Sequence, residues 1–167
     1  MPDRTDCSSL RTTAKSCVSR QPGPSIAPPS TVAARLLVVE DNVSTSFALR
    51  AFFESAGYDV DAASDRASAI RMLGDNQYEV VITDLHLGSM HSNEGMEIVS
   101  DTRRRHTQAC IVMLTAFGSA AAEREARRRG ADLFCAKPVS LHDLSLFIDK
   151  ALRKEQWTPA SAVEGGW

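Results

Sequence analysis

The sequence lacks the long apolar run that a membrane-spanning helix needs. Such a helix takes about 20 consecutive apolar residues, and no run in this chain approaches that length. The first residues also lack the short apolar segment that directs secretion. We therefore expect a cytoplasmic protein with no membrane partner.

Cysteine is scarce, and its spacing excludes the common metal motifs. The four cysteines form no CxxC pair, so a zinc site of the finger type is not expected. Cys110 and Cys135 lie in apolar, strand-like runs and are predicted to be small core residues. Cys7 and Cys17 lie in a polar stretch, where we favour ordinary exposed thiols over redox sensors.

The chain also has no large excess of charge of either sign. Its formal net charge is −2, which favours neither a nucleic-acid-binding protein nor an acidic tail. Two arginine runs, 103–105 and 127–129, are predicted to lie in the last turns of helices, where cations complement the helix dipole. Neither run is interleaved with aromatic residues, so we expect no direct contact with nucleic acid.

Composition divides the chain into three zones. Residues 1–34 are rich in Ser, Thr, Arg and Pro, and such a segment buries too little apolar surface to offset its ordering entropy. It is predicted to be a disordered extension, for which a passive role or an over-long gene start is favoured over a tether or docking arm. Residues 35–154 are predicted to form one folded domain and residues 155–167 a flexible tail.

Strand-like and helix-like patterns alternate from residue 35 onward. Strands are predicted at 36–41, 58–63, 79–84, 109–114 and 133–138, and helices at 44–57, 66–74, 94–105, 119–130 and 141–154. This alternation predicts an α/β fold, a flavodoxin-like doubly wound five-stranded parallel sheet of order 2-1-3-4-5 with five helices. We expect Phe47, Ala51 and Phe52 to form the core stripe of the first helix, and Gly57 and Gly74 to end the first two helices.

Polar residues follow four of the predicted strands. Asp84 ends a continuous apolar run, Glu40 and Asp41 follow the first strand, Thr115 follows the fourth, and Lys137 follows the fifth. The carboxyl ends of parallel strands meet at one edge of the sheet, where ligands bind in open α/β folds. An isolated acid after a strand more often caps a turn. The acids, hydroxyl and ammonium group that follow the other strands instead indicate that Asp84 belongs to a functional site.

The chemistry of this cluster points to phosphoryl transfer. Adjacent carboxylates repel one another unless a hard cation such as Mg²⁺ lies between them. A carboxylate is also a nucleophile that can form an aspartyl phosphate. The transfer needs positioning and charge stabilisation, which the Thr115 hydroxyl and the Lys137 ammonium would add.

The segments VVEDN, VITDL, MLTA and GADLFCAKP occur in this order along the chain. Together they resemble the receiver domain of bacterial two-component response regulators, of the stand-alone type related to chemotaxis regulators, over residues 35–154. The resemblance implies that Asp84 is the phosphoacceptor and that Thr115 and Lys137 are catalytic. It implies Mg²⁺ held by Asp41, Asp84 and the backbone carbonyl of His86, with Glu40 assisting through water.

The resemblance also implies a switch and partners. Thr115 would bond a phosphoryl oxygen in the activated state, Phe134 would be the rotating aromatic residue, and the bond between Lys137 and Pro138 would be cis. The donor would be a sensor histidine kinase or a histidine phosphotransfer protein, and the output would pass through an unknown protein target. The chain would not be an enzyme beyond its own phosphorylation and dephosphorylation. Kinase docking would use Asn42, Ser44, Thr45, Ala48, Pro138 and Val139.

The loop after Asp84 departs from the family pattern. Gly88 stands where the family usually has proline, and the loop is longer by about three residues. His86, two residues after Asp84, is expected to influence attack by water on the phosphoryl group, with a solvated loop side chain as the alternative. Phe117 is predicted to be a second modulating residue beside His86. The other histidines, His91, His106 and His142, are expected at the surface.

Two other classes share part of these features. A phosphatase with an aspartate nucleophile uses similar chemistry but normally has a second Asp two residues on as general acid, where this chain has His86. A flavodoxin-like flavin protein shares the fold, but Glu40 and Asp41 would repel the flavin phosphate. Sustained turnover would indicate the phosphatase, yellow colour the flavin protein, and stoichiometric acid-labile labelling the receiver.

Overall fold

The computed structural model describes residues 33–89 and 92–154. The predictions made for residues 1–32, for His91 and for the tail at 155–167 lie outside these residues. Among the described helices, none combines the length and the apolar character that crossing a membrane would require.

Within the described residues, five strands alternate with five helices. The strands are Arg35–Val39 (β1), Asp59–Ala63 (β2), Val80–Asp84 (β3), Cys110–Thr115 (β4) and Leu133–Ala136 (β5). The helices are Val43–Ser55 (α1), Arg66–Asp75 (α2), Glu94–Arg105 (α3), Ala120–Arg129 (α4) and Leu141–Leu152 (α5). All strand pairs are parallel, and the order is β2-β1-β3-β4-β5. The predicted fold is confirmed.

The strand β3 lies at the centre and is buried along its whole length. The register pairs Val39 of β1 with Thr83 of β3, and Asp84 of β3 with Leu114 of β4. Because neighbouring strands end at nearly the same level, the residues that follow them meet at one edge of the sheet.

Helices cover both faces of the sheet. On one face, α1 and α5 pack through Leu49, Phe53, Leu144 and Ile148. On the other face, α2 and α3 share one cluster, and α3 and α4 share another that includes Ala126. Alternate residues of the strands therefore enter opposite cores, as expected for a doubly wound sheet.

The core stripe predicted for α1 was wrong. Phe47 is 72% exposed and Ala51 is also exposed, whereas Leu49 and Phe53 are buried. Phe52 is half-buried and packs edge-on against Phe53, with ring centroids 5.2 Å apart. The stretch FALRAFF offers apolar residues on several sides of a helix, and the pairing of Leu49 with Phe53 buries more area than a stripe containing alanine.

Two further sequence predictions need correction. Gly74 does not end α2, which continues to Asp75, and Asn76 closes it by donating its backbone N–H to the Met72 carbonyl at 3.0 Å. His106 is not at the surface but only 5% exposed. Its ring nitrogens lie 3.0 Å from the Gln77 side-chain oxygen and 3.0 Å from the Leu73 carbonyl, so the polar ring is satisfied inside the domain.

Both arginine runs lie in the last turns of α3 and α4, as predicted. The side chain of Arg103 joins the two helices: it donates to the Gly130 carbonyl at 2.7 Å and to Asp132 at 2.7 Å. Gly130, with φ of +108°, ends α4 in a left-handed conformation. Arg103 therefore satisfies a carbonyl at the C-terminal end of α4 and fixes this end against α3.

Candidate functional site

The predicted site residues come together at the carboxyl edge of the sheet. Oxygen atoms of Glu40, Asp41 and Asp84 lie within 4.8 Å of one another. Thr115 is the last residue of β4, and Lys137 follows β5 directly. Two hydrogen bonds continue the ladders at this edge: Leu85 N–H donates to the Leu114 carbonyl at 2.8 Å, and Lys137 N–H donates to the Thr115 carbonyl at 2.7 Å. The site is thus built on strand ends rather than on long loops.

The Lys137 side chain links two of the acids. Its Nζ lies 2.6 Å from Glu40 Oε2 and 2.7 Å from Asp84 Oδ2. The peptide bond between Lys137 and Pro138 is cis, as expected. Since β5 carries Lys137 next to Thr115, the ammonium group reaches the end of β3 across β4.

Burial and charge act against each other here. Glu40 is 3% exposed and Asp84 9% exposed. Burial raises the pKa of Glu40, although the bond from Lys137 opposes this shift. For Lys137, burial alone would lower the pKa, but hydrogen bonds to Asp84 and Glu40 outweigh it and the pKa is raised. The described cluster has three carboxylates and one ammonium group, so negative charge remains in excess.

Asp41 is the exposed member of the acid cluster. Its Oδ2 accepts a hydrogen bond from the backbone N–H of Gly88 at 3.0 Å. Gly88 has φ of +74°, a left-handed conformation that glycine adopts readily. The cluster offers the hard oxygen donors that divalent cations such as Mg²⁺ and Ca²⁺ prefer, so the residues present fit a divalent metal.

Thr115 and Phe134 both lie close to Gly118. The Thr115 side chain is fully buried, and its Oγ1 accepts a hydrogen bond from Phe117 N–H at 3.1 Å. A Cβ placed on Gly118 would lie 3.3 Å from Phe134 Cε1 and 3.5 Å from Thr115 Cγ2. The half-buried ring of Phe134 therefore lies close to the hydroxyl-bearing residue of the site.

The loop after β3 folds back over the site. His86 N–H donates to Asp84 Oδ1 at 3.2 Å, and His86 Nδ1 lies 2.8 Å from the Ser92 carbonyl. The Ser92 hydroxyl donates to the Leu87 carbonyl at 2.9 Å. A cleft of about 230 Å³ opens over Asp84, and both predicted modulating residues, His86 and Phe117, line it.

Sequence reasoning gave no role to one residue that lets α3 pack against the end of β3. Gly95 lies in the first turn of α3, where a Cβ would overlap the Asp84 carbonyl oxygen and lie 2.7 Å from Leu85 Cα. No other residue type lets α3 approach the end of β3 so closely. A glycine inside a helix is unfavourable without such a reason, and that was the available signal.

The residues predicted for docking form a groove beside the site. Ser44, Thr45, Ala48, Pro138 and Val139 line this groove of about 570 Å³, which we call the docking groove. Asn42 is not among the residues that line the groove; it caps α1, accepting a hydrogen bond from Thr45 N–H at 3.0 Å. The structure therefore brings five of the six predicted docking residues together.

Comparison with known proteins gives a consistent family match. A family model described as the response regulator receiver domain matches residues 36–149. The chain is 29% identical over 129 residues to the transcriptional regulatory protein SrrA of Staphylococcus aureus, covering 77% of this chain and 52% of that protein. It is 26% identical over 119 residues to the regulatory protein AtoC of Escherichia coli, covering 71% and 25%. The chain thus spans about a quarter to half of the length of these relatives.

Solved structures show the same likeness. A response regulator protein of Burkholderia pseudomallei, with a phosphorylated aspartic acid, a calcium ion and citrate, matches with a TM-score of 0.65 and 26% identity, over 72% of this chain and 69% of that one. A CheY-like receiver domain protein of Methanospirillum hungatei gives a TM-score of 0.69 at 23% identity, over 74% and 96%. The second likeness supports the fold alone.

Proposed function

The chain belongs to the response regulator receiver domain family, and from this premise we propose that Asp84 is its phosphoacceptor. Receiver domains of two-component systems carry a signal as phosphorylation of an aspartate, and kinases phosphorylate them. The observation that supports Asp84 is its place at the end of the buried central strand, bonded to Lys137 at 2.7 Å. The family match does not favour the phosphatase or the flavin protein as alternatives.

The reaction follows from the position of the Asp84 carboxylate. One of its oxygens attacks the phosphorus of a donor phosphohistidine, and a P–O bond forms as the P–N bond breaks. The electron pair stays on the imidazole nitrogen, which takes up a proton. Lys137 lies where it can hold a phosphoryl oxygen, and Thr115 lies at the neighbouring strand end.

Receiver domains bind a divalent metal, and we infer that Mg²⁺ is the ion in this protein. Asp41, Asp84 and the His86 carbonyl would hold it, with Glu40 assisting through water. When bound, the ion would offset the repulsion between the acids and the incoming phosphoryl group. The oxygen donor set of the acid cluster supports this inference, as does the calcium ion in the similar Burkholderia pseudomallei structure.

We further infer that Thr115 and Phe134 form the switch. The Thr115 Oγ1 now accepts a hydrogen bond from Phe117 N–H, and rotation of the side chain would let the hydroxyl donate to a phosphoryl oxygen. Such a rotation would change the space near Gly118 that the ring of Phe134 also borders, and the ring would move with it. The surface over β5 would then differ between the two states.

His86 and Phe117 would tune the lifetime of the phosphoryl group. Both line the cleft over Asp84, where water must enter to hydrolyse an aspartyl phosphate. The bond between His86 Nδ1 and the Ser92 carbonyl holds the imidazole in place. The ring would therefore control the approach of water from a fixed position.

The partner that supplies the phosphoryl group would be a histidine kinase or a histidine phosphotransfer protein, bound in the docking groove. The groove lies between α1 and the segment after β5, beside the site, which suits a helix that presents a phosphohistidine. The output would pass through a protein target, without contact to nucleic acid. The domain would span residues 35–154 of a cytoplasmic protein that catalyses only its own phosphorylation and dephosphorylation.

Labelling with acetyl phosphate and Mg²⁺ tests the phosphoacceptor. We expect wild type to take up one acid-labile phosphoryl group per chain, and Asp84→Asn to take up none while melting at a similar temperature. Asp75→Asn, at the exposed end of α2, is the matched control and should label like wild type. Undiminished labelling of Asp84→Asn would reject the assignment.

Exchange of Thr45 and Ala48 for the residues of another receiver tests the docking groove. We expect phosphotransfer from the cognate kinase to fall while labelling by acetyl phosphate persists. Arg50→Gln, on the same helix but outside the groove, should change neither. Equal loss of both reactions would mean that the exchange damaged the site, and no loss of either would reject the groove.

A further inference from the structure

Gly88 supplies a backbone hydrogen bond to Asp41 from the loop after β3. Proline, which the family resemblance leads us to expect at this position, has no N–H and holds φ near about −65°. Gly88 has φ of +74°, and its N–H donates to Asp41 Oδ2 at 3.0 Å. A proline at this position could make neither the conformation nor the bond.

Asp41 needs such a partner more than the other acids of the cluster do. Glu40 and Asp84 are buried and both accept hydrogen bonds from Lys137. Asp41 is exposed, and across residues 33–89 and 92–154 the bond from Gly88 is the one hydrogen bond that its carboxylate accepts. Without it, the carboxylate would be free to rotate into solvent.

We propose that the Gly88 N–H positions the Asp41 carboxylate for a divalent cation, so that the loop after β3 takes part in metal binding. The inference rests on the proposed function, in which Asp41 is a metal ligand. Loss of a group that hydrogen-bonds to a metal-binding side chain and orients it commonly lowers metal affinity by about 10-fold to 100-fold. Gly88 is a positioning residue in this account, because it acts on the metal site through the Asp41 carboxylate.

The conformation of Gly88, not the space around it, is what requires glycine. A Cβ added at this position meets nothing within 4 Å. Asparagine tolerates the left-handed conformation better than other non-glycine residues and keeps its backbone N–H. Gly88→Asn therefore keeps the donor, whereas Gly88→Pro removes it.

Isothermal titration of the full chain with Mg²⁺, without any phosphoryl donor, tests the proposal. We expect the dissociation constant of Gly88→Pro to rise by about 10-fold, and that of Gly88→Asn to stay close to wild type. Thermal melting and NMR spectra of the backbone amides check that both variants are folded. Equal affinity of wild type and Gly88→Pro would overturn the proposal, as would equal losses in the two variants.

Amide hydrogen exchange gives a second measurement that does not depend on the proline variant folding. The Gly88 amide should be protected in wild type and should lose its protection in Asp41→Ala. Equal exchange in the two proteins would overturn the proposal. If wild type binds no Mg²⁺ at all, the metal assignment in the proposed function fails and this inference fails with it. Normal binding with no effect of Gly88→Pro rejects the inference alone.

Discussion

The two ends of the sheet handle charge in opposite ways. At the amino end, Arg35 of β1 donates to Asp61 at 2.7 Å and to Asn76 at 2.9 Å, and it lies 5.2 Å from the centre of the Tyr78 ring. The Tyr78 hydroxyl donates to the same Asp61 carboxylate at 2.7 Å. Each of these groups finds its partner within the domain.

At the carboxyl end the described acids outnumber their partner. Glu40 and Asp84 share Lys137, and Asp41 relies on one backbone N–H. Repulsion of this kind lowers stability and is tolerated where a ligand relieves it. The charged groups at the amino end of the sheet therefore stabilise the fold, whereas the excess of acids at the carboxyl end suits the binding of a cation.

The largest difference between the two ends should appear in phosphorylation. Excess chelator, or Asp41→Ala, should remove the metal ion. Labelling by acetyl phosphate should then be abolished, because the remaining acids repel the incoming phosphate. Arg35→Ala, at the other end, should label like wild type. Gel shift on a phosphate-binding gel measures both, and equal labelling in chelator would mean that the acid cluster has been misread.

The second-largest effect should be a loss of stability when the close approach of α3 to β3 is disturbed. Gly95→Ala should lower the free energy of unfolding by about 3 kcal/mol, because the new Cβ overlaps the backbone of Asp84 and Leu85. Gly74→Ala is the control: it lies in α2 with its nearest neighbour, Arg105 Nη1, at 3.9 Å, and should raise stability by up to about 1 kcal/mol. Urea unfolding measures both, and similar changes in the two variants would show that the approach of α3 is not tight.

The paired amino end should show a smaller effect. Arg35→Ala should cost about 1 to 2 kcal/mol, a figure kept low because the side chain is 34% exposed. Its loss leaves Asp59 and Asp61 without a cation, so the cost should shrink as salt is raised. Denaturant midpoints at low and high salt measure this, and a cost independent of salt would indicate packing instead of charge.

The smallest effect is expected from a tyrosine at the amino end. Burial, followed by the bond to Asp149, raises the pKa of Tyr58 above its usual value of 10.0. Its contribution to stability is therefore complete below pH 10.0 and falls at higher pH, where the unfolded state ionises first. Tyr58→Phe should cost about 1 kcal/mol at neutral pH, and the difference from wild type should shrink above pH 10.0. A constant difference across this range would contradict the pKa shift.

The five residues at the strand ends could be predicted because each follows an apolar run. Alternation of strands and helices fixes which strand ends are neighbours, so Glu40, Asp41, Asp84, Thr115 and Lys137 could be placed together from order alone. The bounds of α3 were also predictable, since an acidic first turn with Glu94 and Glu97 and a basic last turn with Arg103–Arg105 are typical of the two ends of a helix.

Other features depend on contacts between residues that are far apart in the sequence, and these could not be predicted from local patterns. The phase of α1 was missed because alanines and phenylalanines occur on several sides of the helix, and only packing against Tyr58 and the sheet selects Leu49 and Phe53. The burial of His106 needs the Leu73 carbonyl, 33 residues away in sequence. The bond between Gly88 and Asp41 spans 47 residues and depends on one backbone torsion angle.

The contact of Arg103 with Gly130 limits how α4 can move. The C-terminal end of the helix is held to α3, whereas its first turn begins at Ser119, directly after the segment that follows Thr115. In the proposed switch, a displacement that starts at Thr115 would therefore turn α4 about its C-terminal end at Gly130. With about 1.5 Å of rise per residue, the ten residues of α4 give a lever of about 15 Å. The movement would be largest at Ser119 and would fade toward Arg129, so a partner that senses it must read the N-terminal half of the helix.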